Sequence, residues 1–262
     1  MKGFIRMWRR YPSLFAALIA LTIALPSAAD IDKSHKVDEL VRMHDLSTSV
    51  SIGNYYLKQE ALLAARTLLS EIGRQQGLGV EWNPGNPYWR QAEEALLERA
   101  AMRIDREFGS LAWFQPQWAD LSRSEFSGEE LEALLAHFGS EVGRKQMRIV
   151  NHTVSTHVMM ALTFSGKLKD IPGIEEERTE MQSRWNAEDR ETRFSLQDAG
   201  NVEGQRFALS PLGKKYFVAA VLKLTGMFSH RINELAASIP LQLGEEAGRV
   251  QPYLEAFRSG RG

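Results

Sequence analysis

Ser127-Gly128-Glu129-Glu130-Leu131-Glu132-Ala133-Leu134-Leu135-Ala136-His137-Phe138-Gly139-Ser140 holds the reading of the whole chain. A hydroxyl followed three residues later by a carboxylate is a capping box, so a helix starts after Ser127. Leu131, Leu134, Leu135 and Phe138 then fall at the three- and four-residue steps of a single apolar face. Gly139 stops that helix and Ser140 re-caps the chain. The next apolar stripe runs through Gly143, Met147, Val150, Val154, Val158, Ala161 and Leu162.

The same grammar of cap, stripe and stop extends in both directions. Upstream, Val37, Leu40, Val41 and His44 follow helical spacing from Ser34, which would cap that helix. Ile52, Tyr55, Tyr56, Gln59, Leu62, Leu63, Leu69 and Ile72 trace a longer face that stops near Gly77 and Gly79. Asn86-Pro87 reads as an N-cap with proline in the first turn. It opens a helix with two stripes: Tyr88, Ala92, Ala95, Leu96 and Arg99, and Leu97, Ala101, Ile104 and Phe108. Downstream, Ile174 to Arg193 is a polar helix with Met181 and Trp185 on its narrow apolar side. Ser195 to Arg206 reads as a loop, and Ser210-Pro211 starts a long helix with Tyr216, Phe217, Ala220, Leu224, Met227, Phe228 and Leu235 on its face. Pro240 and Gly244 set off a last short piece ending near Phe257. With no two-residue alternation of useful length, the class is all-α, an antiparallel helical bundle or helical array.

The chain has 262 residues, no cysteine and a formal net charge of -1. Its first residues read as an export signal: Lys2, Arg6, Arg9 and Arg10, an apolar run from Leu14 to Leu25 broken only by Thr22, then Pro26 and Ser27-Ala28-Ala29. The run is about a dozen residues, short of the roughly 18 expected of a spanning helix. Residues 1–29 are therefore expected to be cleaved. Trp8 and Tyr11-Pro12-Ser13 around Arg9-Arg10 do not support a twin-arginine signal, and no cysteine is present for lipid attachment. Cleavage would leave 28 basic against 33 acidic residues, in a bacterial periplasm and with no membrane span. That mildly acidic balance argues against nucleic acid as a partner. The lack of thiols removes cysteine nucleophiles and thiolate metal sites. Ser165 to Gly173 is the expected boundary between an N-terminal lobe, 30–164, and a C-terminal lobe, 174–258, with a frayed tail at 259–262.

From Phe126-Ser127-Gly128-Glu129-Glu130-Leu131 to His137-Phe138-Gly139-Ser140-Glu141-Val142-Gly143-Arg144-Lys145, the sequence resembles domain-of-unknown-function family 2059 of exported bacterial proteins. The resemblance spans about residues 105–165. The family pattern has an aromatic pair where this chain has His137-Phe138, and proline where it has Glu141. It implies a small periplasmic helical unit and carries no activity or catalytic residue. Ser210-Pro211-Leu212-Gly213-Lys214-Lys215 repeats the Ser-x-x-Gly-basic-Lys pattern and restores the proline, which suggests a duplicated helical hairpin. Ser127, Glu130, Phe138, Ser140, Gly143, Ser210 and Gly213 are read as structural. Gly143 is read as a place of close approach by another helix, and Arg144 and Lys145 as facing solvent.

Chemistry is sparse in this sequence. His152 and His157, five residues apart, lie about 140° apart on a helix, a poor arrangement for one metal ion. If His157 is buried it should be neutral and hydrogen-bonded. Glu175-Glu176-Glu177 with Glu180 could supply the paired carboxylates of a glycan-cleaving enzyme, or simply a solvated first turn. No catalytic residue, cofactor or metal ligand is assigned. The leading expectation is a non-catalytic binding or interaction module, with Trp82, Tyr88, Trp89, Trp113 and Trp118 as an exposed aromatic face for an envelope protein; the competing reading, preferred for Trp113-Phe114 and Trp118, is that these rings pack in the core. Its alternatives are a cell-envelope enzyme acting on peptidoglycan and a carrier of a small apolar molecule between helices.

Overall fold

The computed structural model describes residues 28–169, 171–199 and 202–260. The expected export signal lies outside them, apart from Ala28 and Ala29, and so does the end of the tail at 261–262. The described residues are helical almost throughout and include no strand. In order they form α1 (Ala28–Arg42), α2 (Ser47–Gln75), α3 (Pro87–Phe108), a 3-10 turn (Leu111–Trp113), α4 (Gln115–Glu125), α5 (Gly128–Gly139) and α6 (Glu141–Phe164). Then come α7 (Glu175–Ala199), α8 (Val202–Leu209), α9 (Pro211–Phe217), a π-helical turn (Val218–Lys223), α10 (Leu224–Glu245), a 3-10 turn (Ala247–Val250) and α11 (Gln251–Ser259). The all-α class holds.

Apart from Ser34, the caps read from sequence are present. Ser127 accepts from the Glu130 N–H while the Glu130 carboxylate accepts from the Ser127 N–H. Asn86 caps α3 through Tyr88 N–H. Gly77 and Gly79 take φ of 66° and 74°, the left-handed region that ends α2 with no side-chain cost. Five local readings change. α1 starts at Ala28 rather than at Ser34. α3 buries one stripe, Trp89, Ala92, Leu96, Ile104 and Phe108, rather than two. The expected loop at Ser195 to Arg206 is largely the end of α7 and the start of α8. Pro240 lies inside α10, which continues to Glu245 and leaves Leu241 exposed. α11 likewise carries the chain helically through Ser259.

A larger correction concerns the two lobes. The 165–173 connector does not separate two cores, because α2 packs against α3, α6, α7 and α10 alike and one continuous apolar cluster runs from Val37 to Phe257. Buried Gln59 explains how the connector stays down. Its amide donates to the Lys167 carbonyl (2.6 Å) and accepts from the Lys169 N–H (2.8 Å). Tyr55 adds a bond to the Lys169 carbonyl (3.2 Å). Replacing Gln59 by leucine keeps the volume and removes both amide bonds, so we expect a loss of about 2 kcal/mol in urea unfolding. Faster amide exchange at Lys169 would accompany it.

Candidate functional site

The two Ser-x-x-Gly starts are built alike. Ser140 accepts from Gly143 N–H and Ser210 from Gly213 N–H, each at 3.0 Å. A Cβ on Gly143 would lie 1.9 Å from the His137 carbonyl oxygen, and one on Gly213 would lie 2.0 Å from that of Phe207. Close approach is therefore by the end of the preceding helix, not by another helix as expected. His137 and Phe207, three residues before each cap serine, stack face to face with centroids 3.5 Å apart. The two turns thus meet each other, and Phe138 packs against Phe207 and Tyr216 beside them. Tyr216 lies beside Met147, and Lys167 beyond the end of α6 reaches Asn233, so α6 and the α9–α10 rod run in the same direction. That makes the fold an array rather than a purely antiparallel bundle. Lys145 pairs with Glu141 (2.9 Å) and Arg144 bonds the Gly139 carbonyl, so the basic pair is used locally. Lys215 binds both oxygens of Glu130 (2.8 Å each). Its ammonium, then the Ser127 N–H, hold that carboxyl below the usual range.

Behind these turns lies the most unusual chemistry of the core. His44, just past α1, is buried with Nδ1 2.8 Å from Asn151 Oδ1 and Nε2 2.8 Å from Tyr216 Oη. Asn151 Oδ1 can only accept, so Nδ1 carries the proton and Nε2 accepts from the tyrosine hydroxyl. Trp118 closes one side, edge-on at 5.4 Å. Burial pulls the imidazole down to about 4, partly offset by the bond to Asn151, so it is neutral near pH 7. Burial likewise pushes the Tyr216 hydroxyl well up. Ser49 and Ser155 pair at 2.9 Å nearby, between α2 and α6. This chain of polar groups fixes α1, α6 and α9 relative to one another. The sequence reading placed His44 and Tyr216 on apolar stripes without linking them. The available signal was a histidine and a tyrosine standing where leucine would serve.

The aromatic face expected at the surface is not formed. Trp82, Trp89 and Trp118 are buried, and Tyr88 and Trp113 are half-buried. Trp82, Trp89, Tyr88 and Phe257 make one ring cluster, anchored by Trp82 N–H on the Leu69 carbonyl (2.9 Å). Trp113 packs on Phe108, Phe114 and Phe228. These residues serve the core because a large ring buries more apolar area than any other side chain.

The other candidates resolve as follows. His157 is half-exposed rather than a buried core histidine. Glu175 accepts from the Gly173 N–H (3.0 Å), which lowers its pKa, Glu177 faces Lys58 (3.8 Å), and Glu180 pairs with Arg184 (2.9 Å). The acidic run thus behaves as a solvated helix start. Among the described residues no three His, Cys, Asp or Glu side chains converge as a metal site, and no helix is long and apolar enough to cross a membrane. No family model, curated protein or solved structure matches this chain. What remains at the surface is an uneven spread of large apolar side chains. Ile31, Val80 and Met102 stand alone in the first half. Met160, Phe164, Phe194, Val202, Leu209, Val218, Leu222 and Leu241 are all exposed in the second. Met160 with Phe164, and Val218 with Leu222, lie one helical turn apart.

Proposed function

We propose that this chain is a non-catalytic helical interaction module that works in a bacterial periplasm after its leader is removed. The observation carrying this reading is the Val218–Leu222 pair, 54% and 63% exposed on the π-helical turn. Paired aliphatic side chains on one face favour burial by a partner, whereas isolated ones do not call for one. The polar residues with chemical potential, His44, Asn151 and Tyr216, are spent inside the core. The basic start, the apolar run and the small residues at 27–29 support export. The resemblance of residues 105–165 to family 2059 agrees with an exported helical unit of no assigned activity.

A photo-crosslinking side chain placed at Leu222 in the full chain tests this, with Val80, 92% exposed and isolated, as control. We expect one discrete envelope-protein adduct from position 222 and none from 80, on a mature chain beginning at Asp30. Equal labelling from both positions, or none from 222, would remove the interaction reading. A lipid adduct instead would favour a carrier of apolar molecules. Retention of the leader would remove the export reading alone.

A further inference from the structure

We propose that His152 is a proton-operated clasp that fastens the C-terminal half of α7 to α6. The imidazole lies between two carboxylates of α7 on opposite sides of the ring. Nδ1 is 3.5 Å from Glu188 Oε2, and Nε2 is 3.5 Å from Asp189 Oδ1. Both His152 Nδ1 and Glu188 Oε2 are buried atoms with no hydrogen-bond partner, and they face each other. One proton between them would satisfy both. A neutral imidazole donates through one nitrogen only and turns a lone pair toward the other carboxylate. An imidazolium donates to both. Trp185, with its ring centroid 4.8 Å from that of His152, adds an aromatic neighbour suited to a cation. Among the described residues no three His, Cys, Asp or Glu side chains converge here on one metal position.

The attachment of this half-helix rests on such contacts. The buried side chains described between residues 186 and 195 are Thr192 and Ser195, while Phe194 is 68% exposed. The apolar anchors, Ile174, Met181 and half-buried Trp185, all lie N-terminal to it. Among the described residues, other charges at this interface include Arg148 of α6, bound through Nε to Ser195 Oγ (3.1 Å), and Arg193, bound to the second Asp189 oxygen (2.9 Å). From α2, Lys58 reaches Glu177 in the N-terminal half of α7. None of them donates to Glu188 Oε2.

Amide exchange of residues 186–195 in the full chain, at about pH 5 and about pH 8 and corrected for intrinsic rates, tests the clasp. We expect at least about tenfold greater protection at the lower pH. His152→Asn should abolish that difference. Glu188→Gln, which can donate to a neutral ring, should raise protection at the higher pH and shrink the difference. The buried His44 acts in the opposite sense, lowering global stability in acid, so it cannot imitate the expected gain. Protection independent of pH in the native chain, or a pH effect that survives His152→Asn, would overturn the proposal. If His152→Asn unfolds the chain, an unchanged profile in Glu188→Gln would do the same.

Discussion

Acidified from about pH 7 to about pH 4, the protein loses about 3 kcal/mol of stability through His44 alone. The folded-state pKa, about 4, lies below the ordinary 6.5. Above 6.5 neither state holds the proton and the contribution is complete. Between 6.5 and 4 the unfolded chain takes a proton that the buried ring refuses, so stability falls with pH. Below 4 both states are charged and the loss levels off. Urea midpoints across this range measure the effect. A His44→Gln variant should start lower at pH 7, since the bonds to Asn151 and Tyr216 are remade poorly. It should then lose about 3 kcal/mol less than the native chain on acidification. An equal loss in both chains would mean that other groups govern acid sensitivity.

Adding one methyl group at either Ser-x-x-Gly turn should have a comparable cost. Gly143→Ala and Gly213→Ala each drive a Cβ to within about 2 Å of a backbone carbonyl oxygen, of His137 and Phe207 respectively. A backbone atom cannot swing aside as a side chain can, so the helix start must move and the serine cap is strained. We expect about 3 kcal/mol for each. Because the His137–Phe207 stack joins the two turns, their combined effect should depart from the sum of the single ones. Denaturant unfolding of the two single variants and the double variant measures both quantities. As a control, Gly139→Ala, where an added Cβ meets nothing within 4 Å, should be nearly silent.

The fold class was legible because periodicity and capping are local properties. Ser127–Glu130, Asn86-Pro87, Ser140 and Ser210 each mark a helix start without any knowledge of what packs beside it. Partnership was not legible. Glycine, proline and charge at 165–173 look the same in a linker as in a strap. The difference is Gln59, more than a hundred residues away, which binds the strap from inside α2. The aromatic residues could be read two ways for a related reason. A tryptophan stripe reads alike whether it meets water or Phe257, and only the return of α11 onto α3 decides. The polar core escaped notice because His44, Asn151 and Tyr216 come from three separate parts of the chain.

The wide turn at Val218–Lys223 answers a problem of angular bookkeeping. Tyr216, Ala220, Leu224, Phe228 and Ile232 are all buried, at unbroken steps of four. On a helix of 3.6 residues per turn, four such steps drift by about 160°, enough to carry Ile232 out to water. The looser winding absorbs much of that drift, so one rod presents the same side to its neighbours from end to end. The turn is thus a phase adjuster, and a one-residue deletion within it would re-aim everything downstream.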